Sequence, residues 1–370
     1  MVHAPAGSTG AELAVTASAV SPAFEPVTID AYRGDRDEWD AFVHRTAGGT
    51  FFHLIGWKEV LEQAFGFTSH YLLARRAAEL VGVLPLFELR SLLSGRCLLS
   101  VPFAVEGGVC SGDDEARAAL EEAACALARS NGARSLELRD GLTGAGFHIR
   151  EGVYYSFRRR LADTDEENLA AIPRKQRRMV RVGQQSGLVA RVGNDDVSVF
   201  FNLYARSVRH LGTPVFAERY FRLLLEQFPG NCFLLTVMHG EQPAAAVLSF
   251  LFKDTVLPYY AGSRHELFRY AINDFMYWEL MRYAREHGAR IFDFGRSKKG
   301  TGAYDFKCHW GFEPKPLRYR VYAPDGVPVL GHTASDGHVQ MLRRVWQRLP
   351  LGVTKFLGPY IMRHYGAHYT

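Results

Sequence analysis

The chain predicts an α/β protein built on a duplicated domain, and three observations predict it. Its 370 residues are enough for two domains of ordinary size. Its make-up, 47% hydrophobic against 22% charged, suits packed cores and excludes a disordered chain or a coiled coil. The third observation is an internal repeat. A helix-then-strand unit reads E-A-R-A-A-L-E-E-A-A-C-A-L-A-R-S-N-G-A-R-S-L-E-L-R-D-G in the first half and N-D-F-M-Y-W-E-L-M-R-Y-A-R-E-H-G-A-R-I-F-D-F-G-R-S in the second. Both copies join helix to strand through Gly-Ala-Arg, at Gly132-Ala133-Arg134 and Gly288-Ala289-Arg290, and a glycine just past a helix is a natural stop. Upstream, Trp57 to Gln63 pairs loosely with Tyr220 to Gln227, Tyr71-Leu72-Leu73-Ala74 with Phe233-Leu234-Leu235-Thr236, and Val101-Pro102-Phe103 with Leu257-Pro258-Tyr259. Four matches in one order, at an offset of about 160 residues, mark a duplication.

In chain order, residues 1–25 are rich in Ala, Ser, Thr and Gly and read as a disordered lead-in. A first domain is expected over 26–162. Its strand at 27–31 precedes helices at 35–45 and 57–65. Strand runs at 71–74 and 81–88 flank a turn at 77–79, and a third covers 97–103. Alanines and leucines at helical spacing make 114–130 a helix, followed by a strand at 135–138. A second domain is expected over 163–330, opening with a basic linker helix at 172–186. A tail follows over 331–370.

Net charge is +5, which suits an anionic substrate or surface and is too weak to imply nucleic-acid binding. Five cysteines without a C-x-x-C pair suggest a reducing compartment. The first residues lack the basic start and apolar core of a signal peptide, and no run reaches the length of a membrane span. A cytoplasmic protein is therefore expected. The tail qualifies this. From His338 onward it has no Asp or Glu, and it carries Arg343, Arg344, Arg348, Lys355 and Arg363 among Trp346, Phe356 and Tyr360, with Pro350 and Pro359 breaking it into pieces. Such a tail either lies peripherally on an anionic membrane surface or docks on its own body.

The candidate site is I-F-D-F-G-R-S-K-K-G-T-G-A-Y-D-F-K-C-H-W-G-F at 291–312. A short apolar strand is expected to end in a loop holding Gly295, Gly300 and Gly302 with Arg296, Lys298 and Lys299. Glycines let backbone approach a ligand, while cations and free N–H groups bind anions. The first-half counterpart, R-D-G-L-T-G-A-G-F at 139–147, keeps glycines and lacks the lysines. Between the halves, Arg174, Lys175, Arg177, Arg178 and Arg181 follow Pro173, placed for a first helical turn, with no acid interleaved. They form either a solvated helix face or a cationic wall for a phosphate-bearing substrate.

No nucleophile elbow, H-E-x-x-H or Cys/His cluster of zinc spacing is present, so no metal is expected. Gly295 and Gly300 stand at P-loop spacing, but Thr301 stands where a P-loop needs lysine.

The segment F-D-F-G-R-S-K-K-G-T-G-A-Y-D-F-K-C-H-W-G-F-E-P resembles the C-terminal signature of FemAB-type aminoacyl and acyltransferases, most of all those associated with exosortase (PEP-CTERM) exopolysaccharide systems. V-P-F-A-V-E-G-G at 101–108, I-P-R-K-Q-R-R-M-V-R at 172–181, H-L-G-T-P-V-F at 210–216 and the tail W-Q-R-L-P-L…L-G-P-Y-I resemble the same group. The resemblance implies two tandem domains of the GNAT acyltransferase fold, each a mixed central sheet flanked by helices. It implies transfer of an acyl or aminoacyl group to an amine on a small-molecule or lipid-linked glycan or peptide acceptor. The donor would be acyl-CoA or aminoacyl-tRNA, with no permanently bound cofactor; tRNA would then be a partner. Two departures stand out. No heptad pair supplies the helical arm of some Fem proteins. Arg264-His265-Glu266-Leu267-Phe268-Arg269 lacks the glycines of an acyl-CoA pyrophosphate cradle.

Direct attack of an amine needs deprotonation, a polarised carbonyl and positioning, but no covalent enzyme intermediate. Asp293, expected at the strand end, would position or deprotonate the amine or else cap the loop. Lys307 would stabilise the oxyanion, and Tyr304 completes the catalytic candidates. Arg296, Ser297, Lys298, Gly300, Thr301 and Gly302 would hold a phosphate-bearing substrate, with Arg174, Lys175 and Arg178 as the outer wall. Trp310 would either join Tyr304 in an aromatic wall or pack in the core, Phe216 would border the acceptor, and Asn273 would cap the helix at Asp274. The rival readings are a non-catalytic docking module of a polysaccharide assembly system and an RNA-binding protein using the arginines at 174–181.

Overall fold

The computed structural model describes residues 25–91, 95–142, 144, 146–326 and 337–369. The expected lead-in lies outside them but for its last residue, as does the tail's head at 331–336.

Each half builds a mixed sheet with helices packed on it. In the second half seven strands pair in the order Leu188–Val192, Cys232–His239, Gln242–Phe252, Thr255–Ser263, Ile291–Lys298, Tyr154–Arg160 and Lys315–Pro316. The first half runs the same course in two pieces. Val27–Ala31, Leu72–Arg76, Glu79–Leu84 and Cys110–Ser111 form one sheet; Thr68–Ser69, Phe87–Ser91, Gly95–Leu99, Ser135–Leu138, Tyr319–Tyr322 and His148–Arg150 form the other. The break falls at Pro85, which has no N–H for a ladder. Its second-half counterpart, Gln242–Phe252, runs unbroken and pairs on both edges.

Both halves place one parallel pair at their centre, Gly95–Leu99 with Ser135–Leu138 and Thr255–Ser263 with Ile291–Lys298. Parallel neighbours need a crossover, supplied by the helices Asp114–Ser130 and Ile272–Glu286. Asp113 caps the first, its carboxylate accepting from the Ala116 N–H at 3.0 Å. The glycine of each Gly-Ala-Arg joint sits at positive φ, +60° at Gly132 and +87° at Gly288. The repeat seen in sequence is thus a repeat of topology. Asn273 lies inside the first turn of its helix; Ala271, at φ +55°, takes the cap position because Ile272 already begins the helix.

The halves exchange strands. Tyr154–Arg160 closes the second-half sheet, and Tyr319–Tyr322 returns to lie between two first-half strands. They also share an aromatic core. Phe51 stacks on Phe250 at 4.2 Å between centroids and meets Phe228 at 4.4 Å. A second core, with Phe157, Val180, Phe275, Phe292, Phe294 and Trp310, lies under the candidate site. The tail forms two helices, Gly337–Arg348 and Leu351–Tyr369, parted at Pro350. Pro359 does not break the second; Gly358 beside it packs so close that a Cβ there would lie 2.6 Å from the Val215 carbonyl oxygen.

Candidate active site

The strand expected to end at Gly295 continues to Lys298, because Tyr154–Arg160 from the other half supplies a new partner. Arg158 faces Asp293 and Ser156 faces Arg296, so Phe294 and Gly295 together oppose the single residue Phe157. This is a β-bulge, with Gly295 at φ +64° as its left-handed residue. A bulge frees backbone groups from the ladder, and buried groups need partners. Asp293 Oδ1 accepts the Gly295 N–H at 2.8 Å. Lys307 Nζ donates to the carbonyls of Phe294 at 2.6 Å, Arg296 at 3.1 Å and Gly295 at 3.4 Å. Asp293 is therefore inside the strand, not at its end, and it and Lys307 are joined by what the bulge leaves unpaired.

The helix Gly302–His309 carries Lys307 to this point. Thr301 is its cap: its hydroxyl accepts from the Tyr304 N–H at 3.4 Å and donates to the Lys298 carbonyl at 2.7 Å. Gly300, at φ +79°, makes the turn between strand and helix.

The electrostatics follow from burial. Asp293 is 2% exposed, and its Oδ2 accepts from Arg158 Nε at 2.6 Å; Arg158 Nη2 donates in turn to Glu106 at 2.7 Å. Burial pushes the Lys307 ammonium down to about 7, against the attraction of Asp293 and aided by Arg296. Burial also raises the Tyr304 hydroxyl. The Tyr304 ring sits edge-on to Tyr155 and Phe157. Arg296 lies 4.7 Å above the Tyr154 ring and donates to the Tyr319 hydroxyl at 3.1 Å.

The loop at 101–108 approaches from the first half. Phe103 is held at φ +64° and its carbonyl accepts from the Tyr259 hydroxyl at 2.7 Å. A Cβ on Gly295 would lie 3.7 Å from Val105. Buried His53 donates from Nε2 to the Gly108 carbonyl at 3.0 Å, a tautomer assigned from the Thr50 N–H donating to Nδ1 at 3.1 Å. Desolvation pushes His53 down to about 4, so it stays neutral. The parallel pair at the centre holds only at Thr255–Ile291 and Val256–Phe292, then parts, opening a wedge toward the bulge. A cleft of about 220 Å³ borders Glu106, Gly141 and Leu317. A larger one of about 370 Å³, lined by Asp30, Asp35 and Arg75, lies at the outer edge of the first half and shares no residue with the site.

The structure thus brings Asp293, Arg296, Thr301, Tyr304 and Lys307 together. Ser297 is buried opposite Tyr155, Lys298 pairs with Tyr154 in the same ladder, and Gly302 is exposed at the helix head. Trp310 is fully buried, donating to Asp274 at 3.0 Å, which leaves it no surface for a substrate. Phe216 is 5% exposed and packs with Phe65, Phe103 and Tyr220 in the core between the halves. Trp310 therefore takes the core place that was one of its two expected roles, and Phe216, expected to border the acceptor, is a core ring instead. Arg174, Lys175 and Arg178 stand on the solvent face of the helix Arg174–Gln185, whose inner face is Gln176, Val180 and Gly183. Pro173 is its cap residue, not part of its first turn. A Cβ on Gly311 would come within 2.9 Å of Pro173, so this cationic helix abuts the end of the site helix. Sequence reasoning missed Arg158, Tyr319 and His53. The alternating Y-Y-S-F-R-R-R at 154–160 was the available signal for the first.

Residues 168–308, which include the bulged strand and Lys307, match a family model described as an acetyltransferase (GNAT) domain. The fold is similar to the crystal structure of FemX at a TM-score of 0.66 and 16% identity, covering 86% of this chain and 100% of that one. It is similar to the C-terminal domain of a putative lysylphosphatidylglycerol synthetase from Agrobacterium fabrum (TM-score 0.55, 14% identity, 78% and 92% covered). It is similar also to a tandem GNAT protein from the clavulanic acid biosynthesis pathway (TM-score 0.51, 12% identity, 82% and 100% covered). No curated protein matches the chain in sequence. The second half thus carries a GNAT-type domain, and the fold as a whole is similar to that of proteins with GNAT-like units, a tandem GNAT protein among them.

Proposed function

We propose that the chain is an N-acyl or aminoacyltransferase that forms an amide on an amine of a cell-envelope or exopolysaccharide precursor, the acceptor being a lipid-linked glycan or peptide. The observation that carries this reading is Lys307, a desolvated lysine held by three carbonyls at a bulge beside the parting strands. An ammonium has three donors, and the contact to Gly295 at 3.4 Å is the weakest. That donor can turn to an oxyanion as the acceptor amine attacks the donor carbonyl. The new C–N bond forms, the ester or thioester bond breaks, and the amine proton ends on the leaving oxygen or sulfur. Asp293 acts by holding Arg158 and the bulge, since both its oxygens are engaged. Arg296 and Lys298 meet phosphate, and the wall is Tyr304 with Tyr155.

Two features favour a charged-tRNA donor over acyl-CoA. The segment His265–Tyr270 is a 3₁₀ helix, not a glycine turn, and the following helix head packs against Gly183, where a Cβ would lie 3.4 Å from the Ala271 carbonyl. A pyrophosphate cradle at that helix head is thereby closed. Next to the site, Arg174, Lys175 and Arg178 offer a cationic face to a polyanion. The test is donor binding and turnover by the purified protein with acetyl-CoA, longer acyl-CoAs, and charged and uncharged tRNA. Amide formation from charged tRNA supports the full reading. Turnover of acyl-CoA replaces the donor. Glycan binding without turnover of any donor overturns the transferase in favour of a docking module.

A further inference from the structure

The two tail helices are fastened to the body by one face. Thr354 and Met362 are buried there with Gly358 between them. Trp346 donates to the Thr213 carbonyl at 3.1 Å, Gln347 to that of His210 at 2.7 Å, and Arg209 to that of Leu349 at 2.9 Å. The docking is specific, and it leaves the other face bare. On that face Val353, Phe356, Leu357 and Tyr360 recur at helical spacing; Phe356 is 68% and Tyr360 61% exposed. The helix Gly337–Arg348 adds Met341, Leu342 and Val345. Of the thirteen large hydrophobic side chains exposed among the described residues, seven lie on these two helices, so exposed apolar surface is gathered here and not scattered. Leu211, 66% exposed, carries the patch onto the body; a Cβ on the adjacent Gly212 would lie 3.0 Å from Arg343 Cβ.

A surface helix normally turns its apolar stripe inward. Here the stripe points outward, and charge says what covers it. No acid occurs from His338 onward, and Arg344, Arg348 and Arg363 are exposed. A second copy laid on this face would bring arginine to arginine without a counter-charge. No helix among the described residues is long and apolar enough to cross a membrane. We propose that this face seats the protein on an anionic lipid bilayer, with Phe356, Leu357 and Tyr360 in the boundary between headgroups and acyl chains and the arginines on lipid phosphates. This surface is separate from the acyl-transfer reading and stands without it.

The test is co-sedimentation of the full chain with phosphatidylcholine vesicles, with and without phosphatidylglycerol, at low and high salt. The expected result is binding at least about tenfold stronger to the anionic vesicles and weakened by salt. Phe356→Glu with Tyr360→Glu abolishes it while leaving the circular dichroism and melting midpoint unchanged, since both side chains face solvent. Arg344→Gln and Arg348→Gln each weaken it about fivefold. The proposal is overturned if the chain ignores anionic vesicles, if the double variant still sediments with them, or if the chain is a dimer in solution that the double variant dissolves.

Discussion

The two halves answer one structural problem in opposite ways. Counted from the Gly-Ala-Arg joints, Glu137, Arg139 and Asp140 occupy the places of Asp293, Gly295 and Arg296. In the first half the place is shut. Arg139, 1% exposed, donates to Glu137 at 2.9 Å and to the Ala104 carbonyl at 2.8 Å. Asp140 accepts twice from the fully buried Arg320, at 2.9 and 2.6 Å, and Arg320 also reaches Glu121 at 2.8 Å. In the second half a glycine stands where Arg139 does, the strand bulges, and one lysine gathers the freed carbonyls. A copy filled by paired charges turns its carboxylates and guanidinium groups on one another, although Arg320 Nη1 is left without a hydrogen-bond partner. A copy whose lysine holds its third contact at 3.4 Å keeps a donor to spare. On the proposed function, the difference gives scaffolding to the first half and chemistry to the second.

The largest expected effect lies in the closed half. Arg320→Ala strands Asp140 and Glu121 without their buried partner and should cost about 3–5 kcal/mol of stability by denaturant titration. Turnover per folded molecule should hold. If turnover falls further than the folded fraction does, the closed half takes part in the reaction and the division of labour fails.

Next comes the open half. Lys307→Ala should lower kcat by about 10²–10³-fold, the range for loss of one oxyanion donor, with circular dichroism unchanged. A rate loss that only tracks lost folded protein would reduce Lys307 to a clasp for the bulge.

The two buried bases, one per half, give a pH comparison. Lys307 sits at about 7, below its ordinary value, so the native state binds fewer protons than the unfolded chain from there up to about 10.4. Stability from this group therefore rises as pH rises through that window. Activity should move the other way. If the ammonium is the oxyanion donor, the rate falls about tenfold per unit above pH 7, and Lys307→Arg removes that limb. His53, at about 4, has its own window: its stability contribution is whole above about 6.5 and is lost as pH falls toward 4. A pH–rate profile beside a pH–stability profile separates the two; a rate that climbs through pH 7 with Lys307 intact would make the lysine a base.

What the sequence could tell depended on the range of the interactions. The helix Asp114–Ser130 and the strands Val27–Ala31 and Ser135–Leu138 match expectation to the residue, because periodicity and capping act locally. The duplicated topology was legible for the same reason. Gly295 was read as the start of a loop, since a glycine after an apolar run is the usual end of a strand. Only the strand Tyr154–Arg160, arriving from far upstream, turns it into a bulge. Local pattern does not encode that arrival, nor the Arg158–Asp293 pair it creates. Trp310 and Phe216 show a complementary limit. Composition marks an aromatic ring as wall or core alike, and only packing decides which.

The smallest effect is the sharpest test of the bulge. Gly295→Ala meets no atom closer than Val105 at 3.7 Å, so the added methyl has room and only the φ of +64° resists it. The stability loss should be about 1 kcal/mol, the cost of a left-handed residue with a Cβ. Gly108→Ala is the contrast, since its Cβ would fall 2.4 Å from an Asp140 oxygen and crowd the closed half. If the bulge exists to present carbonyls to Lys307, Gly295→Ala should cost more in kcat than its stability loss explains, because a strand relaxing toward regular pairing draws those carbonyls back into the ladder. A variant that loses the same 1 kcal/mol but keeps full turnover would show that Lys307 holds its place without the bulge, and the two strands would then differ in shape alone.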